Sequence, residues 1–294
     1  MGGGGYSLHS RSVRSESLGY KTKSVEQIFV QREVHSLMDP SGVMLRESRD
    51  SDEHPISVPI VLGLDVTGSM GRIPHDLVKD GLPTIMGTII EAGVEHPQLL
   101  FVAIGDHLYD RTPLQIGQFE SSDELLDKWL TSVWLEGGGG GNGGESYMLA
   151  YYFAGFHTQH DAMEKRNMKG ILITIGDEPC HRSLRAGDLT RIMGNGEYRD
   201  YSAAELVSKA SEKYNVYHLH IAETPTGSNQ SVIAGWRELL GENLIVVKDF
   251  REIPRIISDL VLKNSKRVIV GSPVSSKPQT AEKPEDKPEH NPVL

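Results

Sequence analysis

Asp65, Thr67 and Ser69, in the stretch LDVTGSMG, set one carboxylate and two hydroxyls at alternate positions just past an apolar run. An acidic side chain at the end of a buried strand is either solvated or held by something positive. Hydroxyl oxygens beside a carboxylate are hard ligands of the kind Mg²⁺ prefers. Gly68 and Gly71 let the backbone curl closely around an ion. The alternative use of Thr67 or Ser69 is to cap the helix that follows. Two further apolar runs also end on an acid: LLFVAIGD at Asp106 and ILITIGD at Asp177. Two such carboxylates about 5 Å apart, at an effective dielectric of about 20, repel by roughly 3 kcal/mol. A divalent cation turns that repulsion into attraction.

A second stretch, LEGGGGGNGGESYMLAYYFAGF, places a glycine-rich loop before a helix with Leu149, Tyr152, Phe153 and Phe156 on an apolar stripe. Glu145 stands at the start of that helix, where a carboxylate also favours the helix dipole. Gly138, Gly140 and Gly143 formally spell GxGxxG, but a dinucleotide fingerprint needs a strand just before it and an acid about 20 residues on, and Asp177 lies further away. No GxxxxGK[ST] sequence occurs, which excludes a P-loop. Cys180 and His181 are adjacent, a placement that seldom gives thiol–base geometry. His218 and His220 share a strand face without an evident third ligand, so packing or surface exposure is expected of them. For a hydrolase reading, Asp106, His107 and Asp110 are the candidates for a base beside the metal.

The elements that must position these residues alternate. From Val58 the order is strand VPIVLGLD, a helix over residues 73–92, strand QLLFVAIGD, a short LQIGQF, a helix over SSDELLDKWLTSV and a helix from Glu145. Strand KGILITIGD, helix SAAELVSKASEKY, strand VYHLHIA, helix VIAGWRELL, strand NLIVVKD and a last helix to about Leu262 follow. Such alternation predicts an α/β fold with a doubly wound, mostly parallel sheet and helices on both faces. Ligands of these sheets sit at the carboxyl ends of the strands, where the strand order reverses. The last helix carries Ile253, Ile256, Ile257, Leu260 and Val261 on one stripe, and Pro254 is tolerated in its first turn. Pro83 is expected to kink the first helix.

Residues 1–24 have few large apolar groups and are expected to be flexible. Residues 25–57 read as a β-hairpin extension around the turn Asp39-Pro40-Ser41-Gly42. The main domain then covers 58–270, and the Pro-rich residues 271–294 read as a disordered tail.

A formal net charge of −10, spread along the 294 residues, speaks against a nucleic-acid partner. A single cysteine, Cys180, allows no intrachain disulfide. The opening MGGGGYSLHSRSVR has no apolar core of signal-peptide length, and no segment has about 18 uninterrupted apolar residues. A cytoplasmic location without membrane contact is the expectation.

Residues 58–262 resemble a von Willebrand factor A (vWA) domain with a metal-ion-dependent adhesion site. DVTGS is similar to that family's DxSxS motif, with Thr67 in place of the first Ser and its hydroxyl kept, and Asp177 in ITIGDEP ends a strand as the third-motif Asp does. The second motif departs, since Gly143-Gly144-Glu145-Ser146 stands where many members have a Thr. There it is similar to the integrin β-type domain, in which a Glu on this loop ligates the metal directly. The resemblance therefore implies a site of Asp65, Thr67, Ser69, Glu145 and Asp177 for Mg²⁺ (or Mn²⁺), with Ser146 as the reserve for Glu145. It further implies that Asp65 and Asp177 act mainly through coordinated waters, with one metal position open to a partner's Asp or Glu carboxylate. The expected function is metal-dependent protein binding inside the cell, within a multiprotein assembly such as those around ring ATPases. No enzymatic activity is expected; a metal-dependent hydrolase and a purely structural metal site are the alternatives.

Overall fold

The computed structural model describes residues 5–20, 22–77, 82–136 and 143–269. Its centre is a six-stranded sheet of β2 (Val58–Asp65), β3 (Pro97–Ile104), β4 (Leu114–Ile116), β6 (Gly170–Gly176), β9 (Tyr214–Ile221) and β10 (Leu244–Val247), ordered β10-β9-β6-β2-β3-β4. All neighbours are parallel except β4, which closes the edge antiparallel to β3. From β2 the chain runs outward through β3 to β4, then returns to the other side of β2 and runs outward again through β6, β9 and β10. The order thus reverses between β2 and β6. Their register pairs Leu64 with Ile175, so both strands end at the same level, with Asp65 on one and Asp177 just past the other.

Strand residues alternate between two cores. Ile60, Leu62 and Leu64 face one side with Ile171, Ile173 and Ile175, covered by α4 (Leu82–Glu91), α5 (Asp123–Thr131) and α11 (Ile253–Ile269). Val61, Val102 and Leu172 face the other, covered by α6 (Tyr147–Phe156), α9 (Ala203–Ser211) and α10 (Gln230–Leu240). The mixed α/β, mostly parallel architecture agrees with the strand–helix alternation of the sequence. Helix α6 shows no stripe: residues 147–155 are all buried, because α9 lies over its outer face, while Phe156 is 39 % exposed. In place of one first helix there are two described segments, α3 (Ile73–Asp76) and α4. Residues 78–81 between them lie outside the described residues, as does the tail from 270 onward.

The extension over 25–57 is not a hairpin. It contains a short helix, α2 (Val25–Ile28), and one strand, β1 (Arg46–Ser48), which pairs in parallel with β5 (Thr158–His160). The expected turn does form: Asp39 Oδ1 accepts from the Ser41 amide at 2.8 Å, and Gly42 has φ +76°. The flanking runs, however, bond to the body instead of to each other. The Ile116 amide donates to the Met38 carbonyl, the Gly42 amide to Met193, and the Arg46 amide to His157. Backbone donors must find acceptors, and here the main domain supplies them.

The amino-terminal residues also correct the expectation of flexibility. Helix α1 (Leu8–Ser17) packs on α5, with the Arg11 guanidinium against Asp127 and the Tyr20 hydroxyl donating to Asp127 Oδ2 at 2.8 Å. This docking is ionic and aromatic, so a count of large apolar side chains does not reveal it. The described residues also form α7 (Asp161–Arg166), β7 (Ser183–Leu184), α8 (Ala186–Met193), β8 (Tyr201–Ser202) and the 3-10 turns Gly241–Asn243 and Phe250–Glu252. Among the described residues no helix is long and apolar enough to cross a membrane.

Candidate functional site

At the carboxyl end of β2, the fully buried Asp65 turns its Oδ1 toward the loop that follows. It accepts from the Thr67 amide at 2.9 Å and from the Thr67 hydroxyl at 2.6 Å. Thr67 opens a 3-10 turn, Gly68–Met70, and that turn sets Ser69 Oγ 3.3 Å from Thr67 Oγ1. Ser69 in turn donates to Asp177 Oδ1 at 2.8 Å, which ties the loop after β2 to the loop after β6. The other oxygen of Asp65 accepts from the Tyr147 hydroxyl at 2.6 Å. Gly176 makes this bond possible, since a Cβ there would fall 1.9 Å from the Tyr147 hydroxyl oxygen. Tyr147 is a residue that motif reading missed, because it reads as part of an apolar helix.

Glu145 arrives from the second loop. Its amide donates to the Pro179 carbonyl at 2.8 Å and its carbonyl accepts from the His181 amide at 3.2 Å, so the loop is stitched to the segment after β6. The side chain is buried, and two carboxylate oxygens, Glu145 Oε2 and Asp177 Oδ2, have no hydrogen-bond partner among the described residues. Burial raises the Glu145 carboxyl far above the usual carboxylate range, and the charges of Asp65, Asp106, Asp110 and Glu178 push the same way. Burial likewise raises Asp65, against the hydrogen bonds from Thr67 and Tyr147 and with the repulsion of Asp177. A buried carboxylate with no partner is unfavourable by several kcal/mol in general terms, so a gathering of this kind is stable when it shares protons or meets a cation.

Asp65, Thr67, Ser69 and Asp177 are thus linked by hydrogen bonds, and Glu145 lies within the electrostatic reach of Asp65. Their donors are all oxygens, a set suited to Mg²⁺ or Mn²⁺. Ser146 is engaged differently: its hydroxyl oxygen accepts from the His107 amide at 2.7 Å and lies 2.7 Å from His107 Nδ1. Of the two second-loop candidates, Glu145 is the one with an oxygen that has no partner among the described residues.

The competing constellations fare unevenly. Burial pushes the Cys180 thiol up to about 12, and His181 bonds through Nε2 to Asp106 Oδ1 at 2.8 Å, so the two neighbours do not form a nucleophile and its base. His218 stacks on Trp236 with ring centroids 3.5 Å apart and meets Thr174 Oγ1 at 2.9 Å, while His220 Nε2 bonds to the Gly227 carbonyl at 2.8 Å. Both histidines are buried packing residues. Gly138 and Gly140 of the glycine run lie outside the described residues. Asp110 bonds the Asp106 amide at 2.7 Å and so shapes the turn after β3.

No family model matches the chain. No curated protein matches it either. Among solved structures, the pilus adhesin SpaC from Lactobacillus rhamnosus GG in its open conformation is similar at a TM-score of 0.47 and 11 % identity, over 74 % of this chain and 31 % of the adhesin. An aerotolerance-related membrane protein from Bacteroides fragilis NCTC 9343 is similar at 0.43 and 14 %, over 70 % of this chain and 99 % of that one. Proximal thread matrix protein 1 from the mussel byssus is similar at 0.42 and 12 %, over 71 % and 48 %. The chain spans about a third of the length of the adhesin. Likenesses at this level say nothing of activity, ligand or partner.

Proposed function

We propose that this chain is a vWA-like binding module that holds Mg²⁺ or Mn²⁺ at the ends of β2 and β6 and uses it to capture a carboxylate of a protein partner. The observation that carries the reading is the pair of buried oxygens, Glu145 Oε2 and Asp177 Oδ2, with no partner among the described residues, beside the hydrogen-bonded set of Asp65, Thr67 and Ser69. Thr67 and Ser69 offer neutral oxygens, and Glu145 is the ligand from the second loop. When bound, the cation supplies an electrophilic position that an incoming Asp or Glu side chain can occupy. Tyr147 fixes the Asp65 carboxylate from behind, and the Ser69–Asp177 bond holds the two loops in one arrangement.

In this reading the protein is a binding partner and not an enzyme. It works in the cytoplasm within a multiprotein assembly, of the kind formed around ring ATPases, without nucleic acid or membrane. The test is capture with the full chain as bait. A partner retained in Mg²⁺ is released by chelator and is absent with Asp65→Ala or Glu145→Ala baits that keep the wild-type circular dichroism. Retention unaffected by chelator counts against the proposal. So does hydrolysis of a phosphate ester or peptide by the purified protein at a rate that falls with the same substitutions, which would favour a metal-dependent hydrolase.

A further inference from the structure

Asp106, His107 and His181 come from two segments, the turn after β3 and the loop after β6, and meet beside the oxygen site without belonging to it. One donor atom of each lies within 4.8 Å of those of the other two. Asp106 Oδ1 is 2.8 Å from His181 Nε2 and 3.9 Å from His107 Nδ1. Donors about 2.0–2.2 Å from one tetrahedral ion stand roughly 3.5 Å apart, so these separations bracket what a shared ion requires.

The surroundings are arranged for this meeting. Gly144 leaves room for the His181 ring, because a Cβ there would come 3.0 Å from its Cε1 and Nδ1. Asp110 holds the turn through the Asp106 amide. The two rings stand edge to face with centroids 5.0 Å apart, and the far nitrogen of His107, Nε2, faces the Asp188 carboxylate at 3.8 Å. A carboxylate behind a histidine is the arrangement that commonly orients a metal ligand. His107 and His181 also line a cavity of about 470 Å³ whose wall includes Arg182, Arg185 and Asp188.

We infer that Asp106, His107 and His181 form a second metal site, for Zn²⁺ or a cation of that class, with its fourth position open to this cavity. Two imidazoles and one carboxylate favour such a cation over Mg²⁺, which takes oxygen ligands and dehydrates reluctantly. Three protein ligands leave a tetrahedral position for water or for an anion, and Arg182 and Arg185 make an anion the suitable guest. Metal at His107 Nδ1 replaces the contact that this nitrogen makes with Ser146 Oγ.

The full chain, freed of any histidine tag, is dialysed against Zn²⁺ or Co²⁺ in excess Mg²⁺, and bound metal is counted by mass spectrometry. The expected result is one Zn²⁺ per chain, and with Co²⁺ the visible absorption of a four-coordinate ion. His181→Ala is the first variant, because His181 lies on a loop at the cavity wall; it should weaken uptake by at least about tenfold. Asp65→Ala should keep the Zn²⁺ while losing its response to Mg²⁺, which separates this site from the one proposed above. The inference is overturned if wild type takes up no Zn²⁺ and shows no Co²⁺ band, if His181→Ala binds as tightly as wild type, or if Asp65→Ala abolishes uptake.

Discussion

The Tyr147 hydroxyl donates to Asp65 Oδ2 across 2.6 Å, joining the first turn of α6 to the end of β2 over 82 positions of sequence. Both groups are fully buried, and the bond leaves Asp65 Oδ1 to the Thr67 amide and hydroxyl. Removing the hydroxyl alone strands a buried carboxylate oxygen. Tyr147→Phe is therefore expected to lower stability by about 1–3 kcal/mol at neutral pH without metal. Urea titration of the two proteins measures this, and equal midpoints would show that the bond does not position Asp65.

The docking of α1 makes a second expectation. Arg11 and Asp127 form an ion pair with side chains only 6 % and 8 % exposed, and removing Arg11 takes the guanidinium away from a buried carboxylate that keeps the Tyr20 hydroxyl. Arg11→Ala should destabilise by about 3 kcal/mol, whereas replacing both with apolar residues of similar size should restore most of that loss. In limited proteolysis the wild-type segment over 8–20 should resist trimming. Rapid loss of this segment, with the remaining domain unaffected, would show that it does not dock.

Acid sensitivity should arise in part at His160. Burial lowers its pKa to about 4, against the hydrogen bond to the Lys213 carbonyl, while Nδ1 accepts from the Met163 amide to cap α7. The unfolded chain takes up this proton near pH 6.5 and the folded chain near 4, so protons favour the unfolded state in between. Stability from this group is complete above pH 6.5 and falls as pH drops toward 4, by at most about 3 kcal/mol. His160→Asn, which can still cap the helix, should show a shallower loss over that window in denaturant melts. Identical pH profiles would refute the assignment.

How far the sequence speaks depends on how local each signal is. Asp65, Thr67 and Ser69 are legible because one short loop carries all three, and the ends of β2 and β6 are marked by apolar runs that stop on Asp65 and Asp177. Tyr147 is not legible, because its role needs the missing side chain of Gly176 in another strand. The Asp39–Gly42 turn reads correctly, yet its flanks pair with distant elements, which a local pattern does not encode. Helix α1 escapes for a related reason: its anchor is an Arg–Asp pair whose halves lie 116 positions apart. Asp106 and His181 are likewise brought together only by the neighbouring placement of loops from separate strands.

The central claim, a divalent cation at Asp65, Thr67, Ser69, Glu145 and Asp177, is tested most directly by thermal and denaturant melts of wild type and Asp65→Ala, each in Mg²⁺ and in chelator. At a metal concentration about 100 times its dissociation constant, wild type should gain about 2.7 kcal/mol and Asp65→Ala should gain none. No gain in wild type, or the same gain in both proteins, would contradict the account.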